Sequence, residues 1–421
     1  MPVVGVQACT IMTALPTPEA GRDRAEDFVR AHLSHLVTGP VVGSNAIAGG
    51  QRAADAALQA FDVAGYSRRR NEVFPARRRG ASKLSPYIRH GLLSLGEVWD
   101  AVRDGPTDDV KKFRDELLWQ EFARHWYARL GARTSTGIRR ELTVNAQQGQ
   151  REWDRSMRCV DSTLSELETG GWLVNQSRMW LASQWAVRDG NAWQAGEDFF
   201  FQHLLDGSRA ANRLGWQWTT GVGSSKSYGF SQWQVLKRAP GLCEGCVHGE
   251  ACPIADWPDQ PDFEAPDGPR VPARAGEDPT LAAGPEQPLV HGPADSVWLT
   301  AESLGASDPA LGAEPGLPVV FVFDEPLLGK LALSAKRLVF LVEALAELGE
   351  HRDVELMLGD PVEMLATRDV AVTFAPVPGF ATRADIIGPV ATYPWRWLRR
   401  PTAGSVSSFS GWRKSVGSRL K

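Results

Sequence analysis

The sequence predicts a mainly α-helical domain and, after it, a smaller α/β domain with a parallel sheet. Residues 46–257 carry apolar side chains three and four positions apart, as in Asp115 to Tyr127, which is typical of amphipathic helices. Residues 258–296 have a proline-rich, acidic composition that buries too little apolar area to fold, so we interpret them as a linker. Residues 297–421 then change from a helical period to short apolar runs, as in a small α/β domain.

Four segments define the predicted α/β domain. LPVVFVFDEP, Leu317 to Pro326, is a continuous apolar run ended by proline, the pattern of a buried parallel strand. Ser334 to Leu348 has one apolar face and begins with a serine, which predicts a helix with Ser334 as its N-cap. VELMLGDP and VAVTFAPVP, at Val354 to Pro361 and Val370 to Pro378, supply two further strands.

Composition and charge limit the classes of function. A chain of 421 residues with 43% apolar content can form two cores, which makes two domains the expectation. The net charge of -4 argues against a protein that binds nucleic acid over most of its surface. Basic side chains nevertheless cluster, with seven and no acidic one in residues 391–421 and a second group at Arg68, Arg69, Arg70, Arg77, Arg78, Arg79, Lys83 and Arg89. These clusters are therefore compatible with a local DNA-binding face.

The same composition predicts a soluble, cytoplasmic protein. No apolar run reaches the roughly 18 residues that a spanning helix needs. The N-terminus has no basic region followed by a hydrophobic one, which a secretory signal would show.

Four motifs follow one another in the helical part. They are GASKLSPYIRHGLLS at Gly80 to Ser94, ELLWQEF at Glu116 to Phe122, GGWLVNQSRM at Gly170 to Met179 and LLDGSRAANRLGWQW at Leu204 to Trp218. In their order and spacing they resemble the flavin-binding half of the photolyase and cryptochrome family, from about Gly49 to Trp233. The resemblance implies a helical FAD-binding domain over residues 46–257.

The later α/β part is similar to the antenna domain of that family, through FVFDEP, RLVFLVEALAEL and LGDPVEML. In the family this domain comes first, whereas here it follows, so the chain resembles a circularly permuted photolyase. Residues 1–45 would then stand where the interdomain connector runs. The antenna domain, residues 297–421, would end in the basic tail and would hold an antenna chromophore whose type the resemblance does not fix.

The resemblance implies a set of flavin contacts. Hydroxyls and N–H groups at a helix start suit a phosphate, and the diphosphate side would be held by Tyr66, Ser82, Leu84 and Ser85, although an ordinary N-cap is the alternative for the serines. Ala81 replaces the usual threonine. The ring side would be held by Arg178, Asp206, Ser208 and Asn212. Asn212 would face the flavin N5, Ser208 stands where a second aspartate is usual, and the alternatives for Asp206 are a surface ion pair or a helix cap.

The substrate side of the resemblance points to a pyrimidine dimer flipped out of DNA. Trp119 and Trp218 would stack on it, Glu116 would hydrogen-bond its carbonyl, and Asn175 and Met179 match neighbouring positions. Asn175 stands where photolyases for the 6-4 lesion carry histidine, which favours the cyclobutane dimer. Glutamines at 120 and 176 replace usual arginines, so DNA contacts would fall on the tail and on Arg70, Arg77, Arg78 and Arg79.

Tryptophan outnumbers tyrosine sixteen to five. Trp216 and Trp193 match the inner two members of the tryptophan chain that carries electrons in this family. The outer member is open between Trp153 and Trp185.

The cysteines carry a separate signal. Cys243, Cys246 and Cys252 form C-x2-C-x5-C, and Cys159 lies upstream in SMRCVD. Three close cysteines and a distant one fit a four-thiolate iron–sulfur cluster, and the pattern resembles the iron–sulfur bacterial cryptochromes and photolyases. Zinc, with His248 as a replacement ligand, is the alternative. Cys9 is expected to be a bystander.

These patterns lead to two hypotheses of function. The first is a deoxyribodipyrimidine photolyase-like lyase, a monomer without membrane contact, in which reduced FAD repairs UV-damaged DNA under blue light. The second is a cryptochrome-like photoreceptor that uses flavin photoreduction for signalling. The retained Glu116, Trp119 and Trp218 favour repair, and the missing arginines favour signalling. A light-independent flavin enzyme has no support, since no G-x-G-x-x-G segment is found.

Overall fold

The computed structural model describes residues 13–143, 152–265 and 280–416. Cys9 lies outside the described residues, as do parts of the predicted extension, linker and tail.

Helices account for most of the chain between residues 22 and 238. They are α1 (Arg22–Phe28), α2 (Gln51–Ala60), α3 (Tyr66–Arg69), α4 (Ser85–Arg89), α5 (Leu95–Ala101), α6 (Thr107–Leu130), α7 (Arg158–Gly170), α8 (Asn175–Ala182), α9 (Trp193–His203), α10 (Arg209–Thr220) and α11 (Gln232–Arg238). Short π-helical turns follow α1 and α8, at Val29–Leu33 and Ser183–Arg188. Short 3-10 turns lie at Ser34–Leu36, Ala76–Arg78 and Gly131–Ser135.

Helix α6 is the longest of these, with 24 residues. It begins after Pro106 and carries Asp108 and Asp109 in its first turn, where acidic groups complement the helix dipole. It ends at Gly131, whose φ of 56° is accessible to glycine at little steric cost. The helix is therefore defined at both ends by local chemistry.

The strands lie mostly after residue 289. They are β1 (Thr13–Leu15), β2 (Val37–Thr38), β3 (Glu141–Leu142), β4 (Phe263–Glu264), β5 (Leu289–Val290), β6 (Ser296–Leu299), β7 (Val319–Asp324), β8 (Leu333–Ser334), β9 (Val354–Gly359), β10 (Val370–Thr373) and β11 (Ala391–Tyr393). The helices among them are α12 (Thr280–Ala283), α13 (Pro309–Ala313), α14 (Glu325–Leu331), α15 (Ala335–Gly349), α16 (Pro361–Leu365), α17 (Pro378–Ile387) and α18 (Phe409–Ser415).

Seven strands form one sheet in the order β1-β9-β7-β6-β10-β11-β5. The five inner strands are parallel, and the edge strands β1 and β5 are antiparallel to their neighbours. At the centre, Val319 lies opposite Val297 on β6 and Val354 on β9. The predicted combination of helices with a mainly parallel sheet is confirmed. The edge strands come from within the predicted N-terminal extension and the predicted linker.

Both faces of the sheet are covered, as expected for parallel strands. On one face Val320 and Val322 pack with Trp298 and Phe380 in a separate cluster. On the other, alternate residues of β7 belong to the same core as the helices α4 and α6. Helix α15 lies at this junction, where the Phe340 ring is 6.0 Å from that of Tyr87. The sheet and the helices thus share one apolar core.

Ser334 does not act as the predicted N-cap. It stands at the N-cap position of α15, but its side chain accepts no hydrogen bond from the helix backbone. The hydroxyl lies instead 2.7 Å from Nζ of Lys336, which donates to it. Burial lowers the pKa of Lys336 to about 8, so this bond satisfies a buried ammonium group that the sequence pattern did not reveal.

None of the helices in the described ranges combines the length and the apolar content needed to cross a membrane.

A buried carboxyl group in α6 gives the fold a pH dependence. Glu121 is fully buried, and one of its oxygens accepts the Arg399 N–H at 2.7 Å. The other oxygen has no hydrogen-bond partner in the structure. Burial therefore raises the pKa of Glu121 to about 7, against the attraction of Arg124, which lowers it.

We expect Glu121→Gln to remove a loss of stability that the native protein suffers as the pH rises. The folded carboxyl binds its proton more tightly than the unfolded one, so the free energy of unfolding falls between its ordinary pKa of 4.5 and about 7. Urea unfolding gives the free energy of unfolding at about pH 5 and at about pH 8. Between these two pH values, that of the native protein should fall by roughly 1–3 kcal/mol more than that of the variant.

The comparison with the variant is needed because His90 and His125 act in the opposite sense. Burial lowers both pKa values to about 3, so their contribution to stability rises with pH. Parallel pH profiles of the native protein and Glu121→Gln would contradict the expectation.

Candidate functional site

A cavity of about 590 Å³ opens between helices α4, α6, α8 and α10. This volume is within the range of sites for cofactor-sized ligands. Fourteen of the residues predicted for the site line it: Tyr66, Arg70, Ser82, Ser85, Glu116, Trp119, Asn175, Arg178, Met179, Asp206, Ser208, Asn212, Trp216 and Trp218. Four motifs separated in the sequence are thus brought together around one space.

The other predicted residues lie away from the cavity lining. Leu84 is fully buried just before α4. Trp193 is also buried, and its Nε1 donates to a Glu141 oxygen at 3.3 Å. Arg77 lies exposed in a 3-10 turn, and Arg78 pairs with Glu72 at 2.7 Å. The four cysteines form a group of their own.

Asp206 and Arg178 form a buried ion pair at the cavity wall. The Nη2–Oδ2 distance is 2.7 Å, and only 7% of the Asp206 side chain is exposed. A surface ion pair is therefore the wrong interpretation. A helix cap is wrong as well, because Ser208 caps α10 by accepting the Ala210 N–H at 3.2 Å.

The second oxygen of the same carboxylate is unsatisfied. Asp206 Oδ1 is buried and has no hydrogen-bond partner in the structure. Buried carboxylate oxygens are nearly always hydrogen-bonded, and Asp206 lines the cavity. A ligand that brings an N–H or O–H donor to this wall would complete the site.

Asn212 has a fixed orientation that the sequence did not reveal. Its Nδ2 lies 2.9 Å from the backbone oxygen of Glu197 and 2.8 Å from Oε1 of the same residue. Both partners are acceptors, so the amide nitrogen must face them and the amide oxygen is left for the cavity. Arg209 and Arg213 pair with the other carboxylate oxygen, and burial raises the pKa of Glu197.

The side chains that line the cavity carry more positive than negative charge. Five basic side chains, Arg70, Lys83, Arg89, Arg124 and Arg178, face two acidic ones, Glu116 and Asp206. This favours an anionic ligand such as a diphosphate. Three of the basic residues, Lys83, Arg89 and Arg124, were missed as site residues, although Lys83 lies beside Ser82 in a motif that was recognised.

The serine side of the cavity contains a further residue that was not predicted, Trp172. Its indole N–H lies 3.1 Å from the Ser85 hydroxyl oxygen, which accepts from it. The Ser85 hydroxyl hydrogen thus stays available to a ligand. Lys83 lies over the same indole, with Nζ 5.7 Å from the ring centroid.

Exposure differs along the cavity. Asn212, Asp206 and Trp216 are almost fully buried, whereas Trp218 is 45% exposed. Glu116 lies on the exposed side too, with its Oε1 3.4 Å from Arg70 and 2.8 Å from Lys112. The buried end is polar, and the open end offers an aromatic surface and a carboxylate.

The tryptophans near the cavity are connected by contacts. A Cβ at Gly196 would lie 2.2 Å from the Trp216 ring and 2.9 Å from the Trp185 ring, so both rings pack closely against this glycine. Trp185 in turn contacts Trp153, with ring centroids 4.6 Å apart. The two tryptophans that were candidates for the outer position are therefore neighbours, and Trp185 is the one that lies beside Trp216 at Gly196.

The four predicted metal ligands are free thiols. Cys159 is buried in an apolar cluster against which Cys243 and Cys252 pack. Burial, and then the neighbouring thiolates of Cys243, Cys252 and Cys246, raise the pKa of Cys159 to about 12. Among the described residues, no group of three or more His, Cys, Asp or Glu side chains is arranged to hold a metal ion.

His248, considered as a replacement zinc ligand, is engaged elsewhere. Its Nε2 lies 2.9 Å from the Ser156 hydroxyl.

Comparison with known proteins agrees with this geometry. Residues 113–239 match the model of the FAD binding domain of DNA photolyase. This part of the chain is thus similar to the FAD-binding domain of DNA photolyases. Curated relatives in the family include the deoxyribodipyrimidine photo-lyase of Synechococcus sp., 32% identical over 193 residues, which are 41% of this chain and 39% of the relative.

The deoxyribodipyrimidine photo-lyase of Thermus thermophilus is 36% identical over 184 residues, 41% of this chain and 43% of the relative. The chain thus spans about two fifths of the length of these relatives. A cryptochrome structure from Synechocystis sp. overlaps with a TM-score of 0.40 at 23% identity, covering 48% of this chain and 46% of that one.

The cavity fits the cofactor for which the photolyase FAD-binding domain is named. The unpartnered Asp206 oxygen can accept from a flavin N–H, the Asn212 oxygen faces the same space, and the basic lining suits a diphosphate.

We expect Arg178→Ala to lose most of the FAD, about tenfold or more in affinity, because Asp206 would keep a buried charge without a partner. FAD per chain, measured by absorbance after gel filtration, checks this.

Arg22→Ala is the matched control, since Arg22 pairs with the buried Glu343 at 2.6 Å outside the cavity lining. Equal FAD content in Arg178→Ala and Arg22→Ala would contradict the assignment.

Proposed function

We propose that this protein is a light-driven DNA repair enzyme that acts on cyclobutane pyrimidine dimers. The observation that carries the proposal is the presence of two tryptophans, Trp119 and Trp218, and the Glu116 carboxylate in the same cavity as the buried Asp206 and Asn212. FAD, when bound and reduced, supplies the electron donor that light excites. The curated relatives are named deoxyribodipyrimidine photo-lyases, which supports the same reaction class.

The two ends of the cavity would have different roles. Arg178, Asp206 and Asn212, at the buried end, would hold and orient the cofactor. Trp119 and Trp218, toward the open end, offer aromatic faces to a base that has left the DNA stack. Such stacking contributes about 1–3 kcal/mol per base, which offsets the few kcal/mol that flipping costs at a distorted lesion.

Glu116 would act as the hydrogen-bonding group at the reacting bases. Its carboxylate pairs with Arg70 and Lys112 at the open side. When a dimer carbonyl approaches, hydrogen bonds from this group and its paired cations can stabilise the oxygen that gains negative charge. Preorganised donors of this kind act on the charge that develops during the reaction more than on binding.

The photoreceptor alternative has one specific observation in its favour. Gln176, where the family usually has arginine, is 5% exposed and donates to the Tyr228 hydroxyl at 2.6 Å. It is thus part of the buried interior and does not supply a phosphate contact. A protein with fewer DNA contacts would bind DNA weakly, and its flavin photochemistry could then serve signalling.

We expect the native protein, with reduced FAD and blue light, to restore DNA that contains cyclobutane dimers. Trp119→Ala should weaken binding to the dimer by about tenfold and leave binding to undamaged DNA nearly unchanged. Glu116→Gln should lower the yield of repair per absorbed photon more than it lowers affinity. Gel-shift titration in the dark and a repair assay under light separate the two effects.

Trp233→Ala is the control for the tryptophan substitution, because Trp233 is 55% exposed and outside the cavity lining. If the reduced native protein repairs no dimers at low salt while its flavin still responds to light, repair is rejected in favour of the photoreceptor.

We further propose a [4Fe–4S] cluster at the four cysteines. The support is the shared cluster of Cys159, Cys243 and Cys252, together with the influence of the three thiolates, including Cys246, on Cys159. Burial and then the neighbouring thiolates raise the pKa of Cys159 and of Cys243, and a metal centre would stabilise such thiolates by neutralising their charge.

We expect anaerobically purified protein to contain about four iron and four sulfide per chain. Cys243→Ser should abolish the cluster and lower the solubility of the protein, because the ligands join α7 to the segment after α11. Metal analysis and the visible spectrum check this. Cys9→Ser is the control and should keep its iron, and one zinc with no iron in the native protein would refute the cluster.

We also infer the domain order predicted above: a connector-like segment over residues 1–45, a helical FAD-binding domain over 46–257, a linker over 258–296 and an antenna-like domain over 297–421. In support, residues 296–393 supply the five parallel strands of the sheet, and the two antiparallel edge strands, β1 and β5, come from the connector-like segment and the linker. The circular permutation stays a prediction, as does an antenna chromophore.

A further inference from the structure

The tryptophan proposed to stack on DNA is itself covered on one side. Trp119 in α6 stacks face to face on Phe409 in α18, with ring centroids 3.9 Å apart and an angle of 13° between the planes. Trp119 lines the cavity, whereas Phe409 is not among the lining residues. The phenyl ring therefore covers the indole face that is turned away from the cavity, and a ligand can reach only the opposite face.

Helix α18 is fixed to α6 by a hydrogen-bonded histidine. Trp412 in α18 is buried, and its indole N–H donates to Nδ1 of His125 at 2.8 Å. Indole is only a donor, so Nδ1 must be the acceptor. His125 Nε2 then carries the proton and donates to the Arg399 carbonyl at 2.7 Å. Neutral His125 is thereby hydrogen-bonded to the C-terminal segment at both Trp412 and Arg399.

Further contacts hold the same segment along α6. Arg413 pairs with Asp115 at 2.8 Å, and the Phe122 ring meets Phe409 edge-on at 5.8 Å. Asp115, Trp119, Phe122 and His125 are spaced by four, three and three residues, so they lie on one face of the helix. The C-terminal segment thus packs along a continuous stripe of α6 that includes Trp119.

We propose that Phe409 is a positioning residue for Trp119. The inference rests on the proposed function, since it concerns the base that Trp119 would stack on. An indole on a helix surface can occupy several rotamers, and fixing it before the ligand arrives removes an entropic cost from binding. The phenyl ring restricts the indole plane from behind and leaves its other face open to a flipped base.

The geometry does not fit an autoinhibitory tail. To block the site, Phe409 would have to occupy the space where the base stacks, and that space lies on the other side of the indole. The C-terminal segment is therefore part of the site's supporting wall.

The test is Phe409→Ala in the full chain, loaded with reduced FAD and kept in the dark. The probes are an oligonucleotide with one cyclobutane thymine dimer and the same oligonucleotide undamaged. We expect the Kd for the dimer to rise about three- to tenfold, as for the loss of one aromatic pair. The Kd for undamaged DNA and the FAD content should stay unchanged, and Phe409→Tyr should restore native affinity.

Two further variants separate positioning from general destabilisation. Phe380→Ala removes a phenyl ring that stacks on Trp298 at 5.6 Å on the far side of the sheet, and it should keep the native preference for the dimer. Arg413→Ala loosens α18 while keeping the phenyl ring, and it should weaken dimer binding by a smaller factor. This second variant carries the test if Phe409→Ala does not fold.

A readout without DNA distinguishes failure of this inference from failure of the proposed function. In protein labelled with 5-fluorotryptophan, the fluorine resonance of Trp119, assigned with Trp119→Phe, should shift and broaden in Phe409→Ala. A sharp, unshifted resonance overturns the positioning role whatever the protein binds. If the native protein lacks dimer preference while the resonance changes as expected, the proposed function fails and the contact stands.

Discussion

The candidate site depends on the pairing of buried charges between helices. Arg178 from α8 meets Asp206 before α10, and Glu197 from α9 holds Asn212 and Arg209 of α10. Leaving one such charge without its partner costs about 3–5 kcal/mol, so the three helices are fixed relative to each other. The polar wall of the cavity follows from this arrangement, because the remaining lone pairs of Asp206 and Asn212 have only the cavity to face.

Helix α6 connects this wall to the rest of the molecule. Glu116 and Gln120 face the cavity, Glu121 meets the backbone at Arg399, and His125 holds the C-terminal segment. A helix of 24 residues can present different faces to several partners. Its rigidity makes the position of Trp119 dependent on contacts made by residues after the sheet, and the α/β part thereby contributes to the site without lining it.

The apolar core explains how the two parts act together. One face of the sheet and the helices α4 and α6 belong to a single cluster of buried residues, and α15 lies between them with eleven buried side chains. A shared core of this kind resists relative movement more than a polar domain interface does. The sheet can therefore serve as a rigid base for α15 and for the C-terminal segment.

The sequence by itself determined the elements and motifs that rest on local chemistry. Periodic apolar positions predicted α6, α15 and the strands β7, β9 and β10, since neighbouring residues decide which side of an element is apolar. The four motifs located most of the cavity lining, including Asp206 and Asn212. The weakest local signals were missed: β1 and β5 have three and two residues and become strands only by pairing at the sheet edges.

Only the tertiary structure decided how these residues are oriented. Glu197 fixes the Asn212 amide, and Lys336 donates to the Ser334 hydroxyl that was expected to cap α15. Trp412 donates to His125, 287 positions away in the chain. Such contacts join residues far apart in the chain, and the pattern around either partner contains no information about the other. The sequence thus named the chemical groups of the site, and packing determined which atoms of those groups remain free to bind.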